Sequence, residues 1–380
     1  MPQFIYLDYN ATTPVLREVR QEIQEVLERF WGNPSSSHQL GQKAKERLEQ
    51  ARSFVAKLIN ASPEEIIFTS GGTESNNMAI LGVAMALSKR GKHMITSKIE
   101  HPSVLNPFVH LMEMGFEVDF VSPNKTGIIW PEKLATFFRP DTILCSVMLA
   151  NNETGALQPV KKIGEICKQR GIIFHTDAAQ AVGKIPIDVQ YIGCDLLTIA
   201  GHKLYAPKGI GALYIKKGVE LSNILFGAGQ EMGKRPGTEP VPGACALGKA
   251  ALLLNQKIGQ ESLRQTQLRE KLFTMLASKV KQIVRFVPAD KCLPNTLAVS
   301  FPGLSGTSIL ENLPHVMAST GAACHDRSVA ISHVLSAMGV DRPAALGMLR
   351  LSLGIFTTEE EIETAANRIT ETVLRLYDKG

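Results

Sequence analysis

The chain has 380 residues, 44% of them hydrophobic and 20% charged, with 31 Gly and 20 Pro. At roughly 100–200 residues per domain, that length and composition give a packed globular protein of two to three domains and exclude disorder, collagen, coiled coil and small stapled scaffolds. Lys plus Arg (41) against Asp plus Glu (36) leaves a net charge of +5, and the basic residues are scattered, so no nucleic-acid footprint is expected. The longest apolar run, Met78 to Leu87, is half the ~20 residues a membrane-spanning helix needs. The N-terminal MPQFIYLDYN has no basic-then-apolar leader, so a cytoplasmic protein with no membrane partner is expected. Six widely spaced cysteines (145, 167, 194, 245, 292 and 324) contain no CxxC pair. That suits neither a disulfide framework nor a zinc site, and leaves room for a working thiol.

In chain order, Leu16, Val19, Ile23, Val26, Leu27 and Phe30 recur with helical period between Leu16 and Trp31, and a second amphipathic helix is expected from Leu40 to Leu58. Short apolar runs bounded by glycine or polar turns follow at 66–70, 93–97, 142–149, 171–177, 195–201 and 210–215, with helical stretches between several of them. This alternation predicts an α/β protein with a mainly parallel sheet covered by helices on both faces. After about residue 255 the texture changes to a polar amphipathic helix, strand-like runs at 296–301 and 349–354, and a closing helix. That helix opens with a capping box, Thr358-x-x-Glu361, and carries Ile362, Ala365, Ile369, Val373 and Leu376 on one face. The expected division is a large domain over 15–255 and a smaller α+β domain made of 1–14 and 256–380.

Ligands of open α/β sheets bind beyond the carboxyl ends of the strands, so polar residues just after apolar runs are the candidates. In GGTES (71–75), Gly71 and Gly72 allow close backbone approach, Thr73 offers a hydroxyl, and the following helix offers unpaired N–H groups to an anion. A Gly-Gly turn before a helix is commonly only a turn, and no GK[ST] makes it a nucleotide loop. His101 lies just beyond the 93–97 run, where a lone histidine is ordinarily a surface or capping residue. Asn151, Asn152 and Glu153 follow the 142–149 run, where an Asn-rich turn is the default explanation. Asp177 ends one apolar run, and 26 residues later the next ends in AGHK with Lys203. The two read either as a plain ion pair or as a pyridoxal phosphate site, in which the lysine forms a Schiff base, the carboxylate keeps the pyridinium nitrogen protonated and a helix N-terminus takes the phosphate. Cys324 stands in the small, polar stretch TGAACHD with His325 and Asp326 beside it, a setting for an accessible thiol rather than a buried one.

Ten segments in order carry a resemblance across the chain: LDYNATTP (7–14), GNPSS (32–36), FTSGGTESNN (68–77), EH (100–101), NNETG (151–155), HTDAAQ (175–180), GHK (201–203), RPGTE (235–239), GAAC (321–324) and LRLSLG (349–354). They resemble the cysteine desulfurase and selenocysteine lyase family of fold-type I pyridoxal phosphate enzymes. MLANNETG (148–155), LFGAGQ (225–230), RPGTE and VMASTGAACH (316–325) are more similar to selenocysteine lyase than to the housekeeping desulfurases, which usually read RSGTE and SGSAC at the last two places.

The resemblance implies pyridoxal 5'-phosphate on Lys203, with Asp177 at the ring nitrogen, His101 stacked on the ring and Gln180 on its phenolic oxygen. Gly72, Thr73, His202 and, from a neighbouring subunit, Thr238 would hold the phosphate, so a homodimer with sites at its interface is implied. Asn33, Asn152 and Arg350 match residues that bind the substrate carboxylate, for which a guanidinium fork is suited. Cys324 matches the catalytic thiol. Ala200 departs from the family, standing where many desulfurases have a phosphate-contacting serine. The implied reaction is cleavage of the Cβ–Se or Cβ–S bond of L-selenocysteine or L-cysteine to L-alanine and selenide, selenium or a Cys324-bound persulfide. Selenocysteine lyase is the first expectation; the alternative is a cysteine desulfurase that passes sulfur to an acceptor protein for iron–sulfur clusters or tRNA thiolation. A transaminase or kynurenine hydrolase on the same fold would need no thiol, and a non-catalytic carrier would need no lysine. A nucleotide or metal enzyme lacks its motifs here.

Overall fold

The computed structural model describes residues 4–320 and 331–379. A seven-stranded sheet runs in the spatial order Ile66–Thr69, Gly211–Ile215, Leu196–Ala200, Ile173–Asp177, Thr142–Ser146, His93–Ser97, Glu117–Val121. The last five pair in parallel, and only Gly211–Ile215 runs antiparallel to both its neighbours. The fold is therefore α/β with a mixed, mainly parallel sheet, as the alternation of strand and helix signals predicts. The edge strand Glu117–Val121 carries only a weak apolar signal, since all but Val121 are incompletely buried.

Both sheet faces are covered, and adjacent residues on one strand feed opposite cores. Ile67 joins Met78, Ile80, Val83, Val104 and Phe108 on one face, while Phe68 joins Val26, Leu48, Val55 and Leu247 on the other. Each such fully buried side chain contributes about 1.5–3 kcal/mol. Helices Arg17–Arg29 and Gln39–Leu58 lie where the periodicity puts them.

A 39-residue helix, Val241–Lys279, passes through residue 255 without interruption. Its first half packs in the same core as helix Gln39–Leu58, and Leu268, Leu272 and Leu276 enter a separate core with Leu297, Val299, Leu349, Leu351, Ile362 and Ile369. That second core covers an antiparallel sheet of Met348–Ser352, Thr296–Ser300 and Val284–Arg285. The N-terminal strand Ile5–Tyr6 pairs in parallel with Val316–Met317, and Ile5 and Leu7 are buried in the same core. The closing helix, Glu359–Tyr377, forms its capping box reciprocally: the Glu361 amide donates to Thr358 Oγ1 (3.2 Å) and the Thr358 amide to a Glu361 carboxylate oxygen (2.9 Å).

Candidate active site

Asp177 and Lys203 meet at the carboxyl ends of neighbouring parallel strands, with Asp177 in register with Thr198 and Lys203 closing a short 3-10 turn after Ala200. Asp177 is buried and fixed by two donors, Asn76 Nδ2 (2.8 Å) and the Ala179 amide (2.9 Å). Asn76 Nδ2 also donates to Ser103 Oγ (2.8 Å), whose own partner is His101 Nδ1 (2.8 Å). His101 Nδ1 accepts from the Ser103 amide as well (3.1 Å), which makes His101 the N-cap of helix Pro102–Glu113. The bland expectation for this histidine therefore holds, yet the cap also ties it to Asp177 through two side chains. Desolvation pushes its pKa below the usual value, Asp177 opposes, and Lys203 and His333 add to the lowering. The neutral ring that results accepts at Nδ1 and carries its proton on Nε2.

Lys203 is held by the N-terminal segment. Its Nζ donates to the Asn10 carbonyl and to the Ala11 carbonyl (2.8 Å). Burial first and the Arg350 charge second push its pKa down to about 8, against the pull of Asp8 and Asp177. The Asn10 carbonyl also accepts from Gln180 Nε2 (3.0 Å). Lys184 Nζ, buried, donates to Gln180 Oε1 (2.7 Å) and Asn10 Oδ1 (2.9 Å), and desolvation followed by the Lys203 and Arg350 charges drives its pKa well below that of an ordinary lysine. Arg350 is buried on the strand Met348–Ser352. Its Nη1 donates to the Asn152 carbonyl (3.0 Å), its Nη2 to Asp8 Oδ1 (2.7 Å), and its Nε is buried without a partner.

The end of the site that could take an anion is the start of helix Gly72–Leu87. Its N-cap, Gly71, has φ +150°, a conformation L-residues rarely adopt, and no side chain caps the first turn, so its N–H groups are left for a ligand. A Cβ on Gly72 would lie 3.3 Å from Ala200 Cβ, so the methyl group of residue 200 faces this turn and supplies no hydroxyl there. Thr73 is exposed in the first turn. Burial raises the pKa of Glu74, but its hydrogen bonds with Arg235 (2.8 Å) and the Ser70 amide (2.8 Å) win and lower it. The carboxylate is thus turned onto Arg235 of the 235–239 segment. His202, half-buried, pairs through Nδ1 with Thr12 Oγ1 (3.2 Å), and burial with the neighbouring Lys203 lowers its pKa to about 4. An uncapped helix N-terminus, a fixed buried carboxylate and an amine of lowered pKa fit pyridoxal 5'-phosphate.

The structure thus brings together two hydrogen-bonded groups: Asp177 with His101 through Asn76 and Ser103, and Lys203 with Gln180, Asn152 and Arg350 through Asn10. Asp177 and His101 lie within the electrostatic reach of Lys203, and His202 precedes it in the chain with Thr12 as its own partner. Asn33 and Thr238 are exposed, and the Asn33 side chain accepts from the Ser35 amide (2.9 Å). Cys324, with His325 and Asp326, lies outside the described residues. Asn151 has a structural role: its Oδ1 accepts from the Glu153 and Thr154 amides (3.0 and 2.9 Å). Asp8, Asn10, Asn76 and Lys184 were not singled out from the sequence. Three of them lie in the LDYNATTP and FTSGGTESNN segments, which were the available signal; Lys184 had none beyond following HTDAAQ.

The aminotransferase class-V family profile matches residues 5–364. The cysteine desulfurase IscS of Dictyoglomus turgidum is 45% identical over 364 residues, covering 95% of this chain and 92% of that protein. Its namesake in Methanosarcina thermophila is 43% identical over 374 residues, covering 98% and 92%. Among solved structures, a NifS-like protein superposes with a TM-score of 0.91 at 37% identity, covering 97% of this chain and 99% of its own. SspA in complex with cysteine superposes with a TM-score of 0.81 at 35% identity, covering 93% and 99%. The chain belongs to the class-V aminotransferase family, in its cysteine desulfurase and selenocysteine lyase group, and is a pyridoxal 5'-phosphate-dependent enzyme.

Proposed function

We propose that this enzyme is a cysteine desulfurase that converts L-cysteine to L-alanine and leaves the sulfur as a persulfide on Cys324. This reverses the order of the two expectations drawn from the sequence. The motifs that favoured selenocysteine are short and local, whereas relatives 42–45% identical along nearly the whole chain carry the name cysteine desulfurase, and one similar structure is described with cysteine bound. Sulfur and selenium also differ too little in size for a few flanking residues to encode the choice by shape.

The observation that carries the reading is the clustering of a poised amine, Lys203, with the buried guanidinium of Arg350 and the fixed carboxylate of Asp177. Bound pyridoxal phosphate supplies an electron sink for the substrate's α-amino carbon. Asp177 would hold the proton on the ring nitrogen, and Asn76 and the Ala179 amide keep it aimed. Neutral His101 would lie on the ring, Gln180 at its phenolic oxygen, and the first turn of helix Gly72–Leu87 with Gly72, Thr73 and His202 at the phosphate. Arg350, with Asn152 and Asn33, would orient the substrate by its carboxylate. Lys203, once released by the substrate amine, would remove the Cα proton, and its lowered pKa suits it to do so near neutral pH. Cys324 as thiolate would attack the substrate sulfur, and the Cβ–S pair of electrons would remain with the alanine skeleton.

We further propose a homodimer with Thr238 reaching the partner's phosphate. The 225–239 segment supports it: Phe226 is 89% exposed, and Leu225 and Met232 are exposed beside it. A sulfur-accepting protein partner and a cytoplasmic setting complete the reading; the five described cysteines are all free and buried. Among the described residues no helix is long and apolar enough to cross a membrane.

The test is parallel turnover of L-cysteine and L-selenocysteine by the purified holoenzyme. Comparable turnover, with persulfide label that vanishes in Cys324→Ala, is expected. A large preference for selenocysteine, with cysteine bound but barely cleaved, would restore the lyase reading, and Lys203→Ala should abolish both activities.

A further inference from the structure

Arg350 is not a free cation waiting for a carboxylate. Its Nη2 already donates to Asp8 Oδ1 at 2.7 Å, and the pair is largely shielded, with the side chains 6% and 22% exposed. Asp8 is held from behind: its backbone bridges Ser352 on the strand that carries Arg350, and its carbonyl accepts from Tyr6 Oη (3.0 Å). Two and three residues further on, the carbonyls of Asn10 and Ala11 hold Lys203 Nζ. One short, braced segment therefore touches both the guanidinium and the reactive amine. The negative charge it carries at position 8 acts on both: it opposes the lowering of the Lys203 pKa and partners Arg350.

A ligand whose carboxylate comes to the part of Arg350 left over, which includes the unpaired buried Nε, is brought close to the Asp8 carboxylate. Like charges in a poorly solvated site repel strongly. A ligand that also carries an α-ammonium brings its own compensating charge toward the place where Lys203 sits, within the field of Asp8. A simple carboxylate has no such compensation.

We propose that Asp8 is a specificity-determining residue that makes this site accept α-amino carboxylates and reject simple carboxylates at Arg350. It rests on the reading of Arg350 as the carboxylate-binding group, and the experiment separates the two. Dissociation constants for propionate and L-alanine are measured on the holoenzyme from the change in cofactor absorbance and from inhibition of cysteine turnover. The isosteric Asp8→Asn, which keeps an oxygen toward Arg350, should tighten propionate relative to L-alanine by roughly tenfold. A merely structural role would move both constants together, and an unchanged ratio overturns the proposal. If Asp8→Asn misfolds, the same ratio is read in Asp8→Ser, with the same expectation and the same refutation. Arg350→Met is the control: loss of affinity for both ligands upholds Arg350 as the carboxylate group, whereas unchanged affinities sink that reading, and with it the proposal.

Discussion

Lys203 shows how much of this chemistry is set around a single atom. An ordinary lysine amine titrates near pH 10.4; here burial and Arg350 outweigh Asp8 and Asp177 and bring it to about 8. If Lys203 holds the cofactor as proposed, only its neutral amine would do so, and the uptake rate of pyridoxal phosphate by cofactor-free protein should rise with pH and level off just above 8. A rate still climbing at pH 10, measured by stopped-flow absorbance, would show that the site does not depress this amine. Lys203 and Asp177 were legible in the sequence because each follows an apolar run that had to be a strand. Asn10 and Lys184 were not, because the contacts that give them meaning span 174 residues of chain and leave no periodic trace.

At the level of elements, the cradle depends on how closely the start of helix Gly72–Leu87 approaches the antiparallel strand Gly211–Ile215. A Cβ at residue 211 would fall 2.6 Å from the Ile199 carbonyl oxygen and 2.7 Å from Gly71 Cα, both rigid backbone. Gly211→Ala should therefore lower stability by about 1–3 kcal/mol and weaken cofactor binding at least tenfold, read by thermal melting and by cofactor titration. An unchanged melting temperature and affinity would mean that the strand and helix start yield without cost. Capping boxes and amphipathic helices such as Glu359–Tyr377 were readable because their signals lie within a few residues. The reversed direction of Gly211–Ile215 was not, since parallel and antiparallel strands share one apolar pattern when both faces are buried.

At the scale of the whole molecule, the 225–239 segment is fastened to the sheet by a buried ion pair. Arg52 donates from Nη1 and Nη2 to Glu231 (2.7 and 2.8 Å), and the Phe68 amide on the edge strand donates to the same carboxylate (2.7 Å). Both side chains are almost fully buried, at 3% and 1% exposure, and the guanidinium lies over the Phe68 ring. The chain accepts positive φ at Glu231 and Met232 to make this contact. Removing the Glu231 carboxylate leaves buried Arg52 with only the half-exposed Glu49 as a charge partner and the Phe68 amide without its acceptor, so Glu231→Ala should cost about 2–4 kcal/mol and, on the proposed dimer, lower the dimer fraction by sedimentation. Loss of neither would show the segment to be held by other contacts.

By itself the sequence determined the α/β class, because short continuous apolar runs alternating with 3.6-residue periods follow from what each element must bury, and it determined which strand ends carry polar residues. Only the tertiary structure decided that a single helix, Val241–Lys279, spans both cores, that the N-terminal segment clamps Lys203 and Arg350 together, and that Arg350 already has a resident carboxylate partner. Local patterns record burial, which is a property of each residue's own face. They do not record pairing between distant charges, which arises only when the chain closes.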